Sequence, residues 1–197
     1  MTYVPYKTAN GNSWVSTDSH LLPDGKLFIL GEITQQTACE FLQKLMYLKK
    51  EKPNLKPNIY ITSPGGEVNA GLMIYDTLKG LDMEFTVYCA GIAASMAAII
   101  LAGGQKGRSF ILTHSKIMIH EPLIAGGMGG SATSIQRTAE SIMETKRISI
   151  ELLAADTGKR IKDVEKAISF DNYMNAEKSV EFGICDKVVY GMSEIHA

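Results

Sequence analysis

Residues 85–104 read FTVYCAGIAASMAAIILAGG, twenty positions without a charge. How this run folds decides the architecture. About twenty apolar residues are enough to cross a bilayer as one helix. The composition argues against that. Phe85, Thr86, Val87 and Tyr88 are β-branched or aromatic and favour a strand. The second part is rich in Ala, Met and Leu, which favour a helix. Gly91 lies between the two parts, and no basic cluster flanks the run as insertion would require. The run is therefore read as a buried strand, a turn and a buried helix that opens near Ser95, with no membrane role.

Working outward, the same alternation repeats. Pro23-Asp24-Gly25 marks a turn, followed by a strand from about Leu27 to Ile33. From Thr34 to Lys50, Ala38, Phe41, Leu42, Leu45 and Leu48 recur at helical spacing. NIYITS, residues 58–63, reads as a short buried strand, and Gly65-Gly66 as a loop. Val68 to Leu81 is amphipathic, with Leu72, Tyr75 and Leu78 on one face. After the central run, SFILTHSKIMIHEP (109–122) holds two more strand-like stretches. This order predicts an α/β fold of parallel strands covered by helices.

Beyond Pro122 the texture changes. LIAGGMGGSATS (123–134) is a glycine-rich connection, and Ser131 to about Ala155 is a long helix with Ile135, Ala139, Ile142 and Ile150 among its apolar positions. Its length suggests a projecting arm, or a helix that packs on another subunit. DTGKRIKDVEKAIS (156–169) is a shorter helix. Asn175 caps a brief helix through Phe182, with Gly183 just past its end. ICDKVV (184–189) closes the chain's regular structure as a strand.

The 197 residues suit one domain, and 45% hydrophobic with 21% charged residues suits a globular core. A formal net charge of −1, with scattered Lys and Arg, gives no electrostatic case for nucleic acid or an anionic membrane. Cys39, Cys89 and Cys185 are odd in number and show no CxxC spacing, so neither a disulfide framework nor a zinc cage is indicated. A reducing, cytoplasmic compartment fits. The polar N-terminus MTYVPYKTANGNSW lacks the apolar run of a secretory signal.

Ser95 is a lone hydroxyl among small apolar residues, CAGIAASMAA (89–98). A strand ending in a tight turn, with a helix opening at the serine, offers free N–H groups to developing negative charge. It is a nucleophile, or it is merely a helix cap. Gly65-Gly66 in TSPGGEV makes a second strand-end loop, in which N–H groups can face a bound oxygen. Of the four histidines, His120 ends the run KIMIH and is the best partner for Ser95, because strand ends on one edge of a parallel sheet cluster. His114 falls at a turn, His20 near the N-terminus and His196 in the tail. An orienting carboxylate completes such a set. Spacing leaves Asp156, Asp163, Asp171 and Asp186 all open.

SPGG (63–66), GIAASMAA (91–98), KIMIHEP (116–122) and DNYMNAEKSVEFGICD (171–186) resemble, in order and spacing, the proteolytic subunit of the Clp protease family. The resemblance runs from about Leu21 to Val189. It implies a serine endopeptidase on a spiral of βαβ units, the fold shared with crotonases. It carries the nucleophile onto Ser95, the base onto His120, the orienting carboxylate onto Asp171, and the oxyanion-hole N–H groups onto Gly66 and Met96. It implies stacked heptameric rings around unfolded protein substrates, with hexameric Clp-type ATPases docked outside. ATP is then used by the partner unfoldase; the chain has no GxxxxGK[ST] motif, and no cofactor or metal of its own is implied. The resemblance divides the chain into an axial, gating segment (1–25), a peptidase head (26–122 and 156–190), an inserted handle region (123–155) and a tail (191–197).

Several residues depart from the family pattern. Glu121 stands where glutamine is common, and a carboxylate beside His120 is expected to favour imidazolium and move the pH optimum upward. Phe170 replaces an arginine that pairs across the ring–ring contact, and two extra residues fall near Ile124 and Ala125. Asn58 replaces a tyrosine of the ATPase-docking pocket, in which Tyr60 and Phe110 are kept. VSTDSHLL (15–22) puts His20 at an arginine position of the axial segment. Together these mark a divergent paralogue. The alternative is a weakly active or regulatory subunit of a mixed ring with a second proteolytic subunit. The Ser95, His120 and Asp171 set argues against a crotonase-type acyl-CoA enzyme.

Overall fold

In the computed structural model, which describes residues 2–9, 11–123 and 129–191, the uncharged run divides into a strand, Thr86–Ala94, and a helix, Met96–Ala102. All seven helix residues are buried. A helix apolar on every side belongs in a protein core, and no described helix is long and apolar enough to cross a membrane. The strand outlasts its β-branched signal. It continues through Gly91 and the alanines and stops one residue short of Ser95. Gly91 thus bends a strand rather than separating strand from helix.

The chain begins with β1 (Tyr3–Thr8) and β2 (Gly11–Ser16), an antiparallel hairpin, then α1 (Thr17–Leu21). These were not legible as elements, because the hairpin has no core-facing side and no apolar alternation; Tyr3, Tyr6 and Trp14 are all exposed. A 3₁₀ turn over Leu22–Asp24 and Gly25, in the left-handed conformation, lead into β3 (Lys26–Leu30). The strand is shorter than expected, and Ile33 is left as an isolated bridge to Gly66.

Next come α2 (Gln35–Glu51), β4 (Asn58–Ser63), α3 (Val68–Lys79), β5 (the strand Thr86–Ala94) and α4 (the helix Met96–Ala102). Thr34 caps α2 by accepting from the Thr37 N–H, and the Thr37 hydroxyl accepts from the Thr34 N–H in return. The helix buries Ala38, Phe41, Leu45 and Leu48, the stripe its spacing predicts. The remaining elements are β6 (Ser109–Leu112), β7 (Lys116–Ile119), α5 (Ala132–Thr157), α6 (Ile161–Ile168), β8 (Asn172–Met174), α7 (Ala176–Phe182) and β9 (Lys187–Val189).

The main sheet runs β3-β4-β5-β6-β9, all parallel. β5 is long enough to serve two partners. Val87–Cys89 pairs with β6, and Ile92–Ala94 pairs with β7. β7 in turn takes β8 antiparallel. The largest fully buried side chains, Phe85, Leu27, Leu45, Ile61, Ile100 and Ile111 among them, fill the space between sheet and helices. Each such residue contributes about 1.5–3 kcal/mol by leaving water.

α5 is held to the body by its second half, where Ser149, Ile150, Leu153 and Ala154 are buried. Of the apolar positions read from its sequence, only Ile150 is buried; Ile135 and Ala139 are exposed and Ile142 is half-buried. Ile124, Ala125 and His196, with the rest of the tail beyond 191, lie outside the described residues.

Candidate active site

Ser95 sits between β5 and α4 with φ 54° and ψ −125°, the only non-glycine residue among those described with positive φ. Its side chain makes no capping hydrogen bond, so the helix-cap reading falls. Such backbone strain persists only where surrounding structure over-determines it. Here the Ser95 N–H donates to Met118 O at 2.8 Å, on β7, and its carbonyl accepts from Ala98 and Ile99 N–H in α4.

The Gly65-Gly66 loop presses its backbone against this turn. A Cβ on Gly65 would lie 2.7 Å from both Ala94 O and Ser95 Cβ, and one on Gly66 would lie 2.1 Å from Ile33 O. Both residues also have positive φ, 97° and 152°. Only glycine satisfies both constraints. The Met96 N–H opens α4 and so has no acceptor within its own helix.

His120 follows β7, and its Nε2 is 2.9 Å from Ser95 Oγ. The other described histidines are elsewhere: His20 lies edge-on to Tyr6, and His114 is exposed in the turn between β6 and β7. The four open carboxylates separate cleanly. Asp156 binds Tyr75 and Lys79, Asp163 binds Arg160, and Asp186 accepts from the Ser109 N–H. Asp171 alone of the four faces the imidazole, with Oδ1 3.3 Å from Nδ1.

Two elements bring it there. The Glu121 N–H donates to Ile168 O at 2.8 Å, tying β7's end to α6. β8 then pairs antiparallel with β7, Asn172 opposite Ile119, so Asp171 arrives beside His120. The contact is close without being aligned. Nδ1 is buried and makes no hydrogen bond of good geometry, although the oxygen is within ion-pair reach. The contact is therefore an ion-pair separation, short in distance and poor in angle. The Asp171 side chain is 62% exposed, against 14% for His120.

Glu121 does not turn its charge on His120 unopposed. Its carboxylate is held by Lys146 of α5, at 2.5 Å. The two buried thiols offer no rival nucleophile: burial pushes Cys89 up to about 12 and Cys185 well above its ordinary range. Among the described residues, no group of three or more His, Cys, Asp or Glu side chains could hold a metal.

Tyr60 and Phe110 belong to a different part of the sheet. Because parallel strands in register align equivalent positions, Phe28, Tyr60, Tyr88 and Phe110 form a ladder across β3, β4, β5 and β6. Successive ring centroids are 5.3, 5.3 and 5.4 Å apart. The sequence did not join Phe28 and Tyr88 to Tyr60 and Phe110; only the strand registers do. Asn58, half-buried, is two residues before Tyr60 on the same face of β4.

The family model described as Clp protease matches residues 9–192. The chain belongs to the Clp protease family. Its mixed α/β architecture, mainly parallel sheet and the seven α-helices among the described residues fit that family's fold. Membership in the Clp protease family supports a serine peptidase, a Clp-type peptidase subunit.

Proposed function

We propose that the chain is the endopeptidase subunit of an ATP-dependent Clp-type protease, cleaving unfolded polypeptides inside a ring chamber. The observation that carries the reading is the 2.9 Å approach of His120 Nε2 to Ser95 Oγ, made by a serine held in a strained backbone conformation. In this reading His120 takes the Ser95 proton as Oγ attacks a peptide carbonyl carbon. The Gly66 and Met96 N–H groups receive the oxyanion. His120 returns the proton to the leaving amine, the C–N bond breaks, and water releases the acyl-enzyme by the same route. Asp171 holds the imidazole tautomer and stabilises the imidazolium.

The chain requires no cofactor in this scheme. ATP is consumed by a hexameric Clp-type ATPase. Its docking surface is assigned to Asn58, Tyr60 and Phe110, supported by the aromatic ladder and by an apolar cavity of about 640 Å³ that shares Phe28 with it. A half-buried Asn58, two residues before Tyr60 on the same face of β4, weakens the seat of an apolar anchor, since an unpaired amide is costly to bury. The assembly is a pair of stacked heptameric rings, with α5 as the handle between them, in a cytoplasmic setting that suits three free thiols.

A second reading is favoured by one observation. The imperfect Asp171–His120 contact, beside an exposed Phe170, suits a subunit that is weakly active alone and completed in a mixed ring. One experiment tests both. A fluorophosphonate probe and a fluorogenic short peptide are applied to the purified chain and to Ser95→Ala. Labelling and cleavage that vanish in Ser95→Ala are expected. Labelling at Ser95 with cleavage that appears only on adding a second proteolytic subunit selects the mixed ring. Cleavage that survives in Ser95→Ala sinks the proposal.

A further inference from the structure

β5 contains an irregularity four residues before Ser95. Ile61 of β4 pairs with Cys89, but Ser63 pairs with Ala93. β4 advances two residues there while β5 advances four, so β5 carries two extra residues. They fall where β5 leaves β6, last paired at Cys89, and joins β7, first paired at Ile92. Ala90 and Gly91 match no strand partner, and Gly91 has φ 103°. Bulges of this kind re-aim a strand and gather near active sites.

Extra residues leave backbone groups without ladder partners, and buried groups of that type must be satisfied. Two hydroxyls do so here, one from each flanking strand. Thr62 Oγ1, on β4, donates to Ala90 O. Ser115 Oγ, just before β7, donates to Cys89 O at 3.2 Å and accepts from the Gly91 N–H at 2.7 Å. Ser115 is only 3% exposed and its bond to Cys89 O is buried, while Ala90 is half-buried and Gly91 exposed.

The bulge sets the register of the last turn of β5 before the serine. Past Gly91, the residues Ile92, Ala93 and Ala94 pair with Lys116, Ile117 and Met118, the Ser95 N–H reaches Met118 O, and His120 lies two residues further on. The register of β5 on β7 therefore fixes the Ser95–His120 separation. A slip of one residue moves a strand by ~3.3 Å and turns its side chains to the other face.

We infer that Thr62 and Ser115 are positioning residues, a two-hydroxyl clamp that holds the β5 bulge in the one register that brings Ser95 to His120. Its consequence for catalysis rests on the peptidase reading; its geometry does not.

Thr62→Val, isosteric but without the hydroxyl, is compared with Thr62→Ser, which keeps it, and with Ser115→Ala. Peptide kinetics, fluorophosphonate labelling, thermal midpoint and crystal structures are measured for each. Thr62→Val and Ser115→Ala are expected to lower kcat about tenfold to a hundredfold, the scale of a misplacement near 1 Å, with KM within about twofold. Their Ser95 Oγ–His120 Nε2 distance is expected to open beyond hydrogen-bond range, and Thr62→Ser to retain wild-type kcat. Wild-type kcat in Thr62→Val overturns the clamp, as does a loss in Thr62→Ser equal to that in Thr62→Val. A wild-type chain that neither labels nor cleaves sinks the peptidase reading instead. The crystallographic distance in Thr62→Val still decides the clamp in that case: a separation unchanged from 2.9 Å overturns it, and an opened one upholds it.

Discussion

Ser95 holds a backbone conformation that costs of order 1–3 kcal/mol for a non-glycine residue. The surroundings offset this locally, through the bond to Met118 O and the fully buried α4 that opens at the next residue. The same apolar surroundings leave a titration signature at Cys89, earlier on β5. Burial raises its thiol from an ordinary value of 9.0 to about 12. The unfolded chain therefore loses this proton near pH 9, and the folded chain keeps it until about pH 12. Below pH 9 the contribution to stability is complete, and it is lost as pH rises through that window, by up to ~1.4 kcal/mol per pH unit. Cys89→Ala is expected to flatten the fall in unfolding free energy above pH 9, measured by urea titration at stepped pH. An unchanged slope would refute burial of a protonated thiol as its cause.

At the level of elements, the reading from sequence was strongest where the signal is local. The α2 stripe, β4 and the Asn175-capped α7 each carry their own pattern or capping residue. β8 was invisible because its three residues have no pattern of their own; only their antiparallel pairing with β7 makes them a strand. The candidate site divides in the same way. Ser95 and the glycine pair announce themselves by composition, and His120 by its place at a strand end. By spacing alone Asp171 was one of four equivalent aspartates; the family resemblance pointed to it, and the register of β8 is what carries it to His120. Asp156, discarded as a partner for His120, has an element-scale role instead. It fastens the end of α5 to α3 through Tyr75 Oη at 2.8 Å and Lys79 Nζ at 2.6 Å. Its side chain is 8% exposed while that of Lys79 is 41% exposed. Asp156→Ala strands the buried Tyr75 hydroxyl and is expected to cost about 1.5–3 kcal/mol, whereas Lys79→Met removes an exposed pairing worth ~1 kcal/mol or less. Equal losses in chemical denaturation would show that the tyrosine contact does not fasten α5.

The molecule as a whole leaves Leu123, Met143, Phe170 and Tyr173 exposed, on or near α5 and β8. Phe170 matters most, because it directly precedes Asp171, whose carboxylate lies 3.3 Å from His120 without aligning to it. A contact that buried Phe170 would restrict the same short segment, and with it the carboxylate. Assembly and alignment are then linked: whatever free energy orders residues 170–171 in the contact also favours the closed Asp171–His120 pair. The expected result is a mass in solution well above the 21.5 kDa of one chain, with peptidase activity per chain rising with protein concentration as larger species form. Phe170→Glu places a charge in an apolar contact and is expected to lower mass and activity in parallel. Light scattering and peptide turnover on the same samples provide the check. Activity per chain that stays constant while the mass falls to that of a single chain would separate assembly from the chemistry at Ser95.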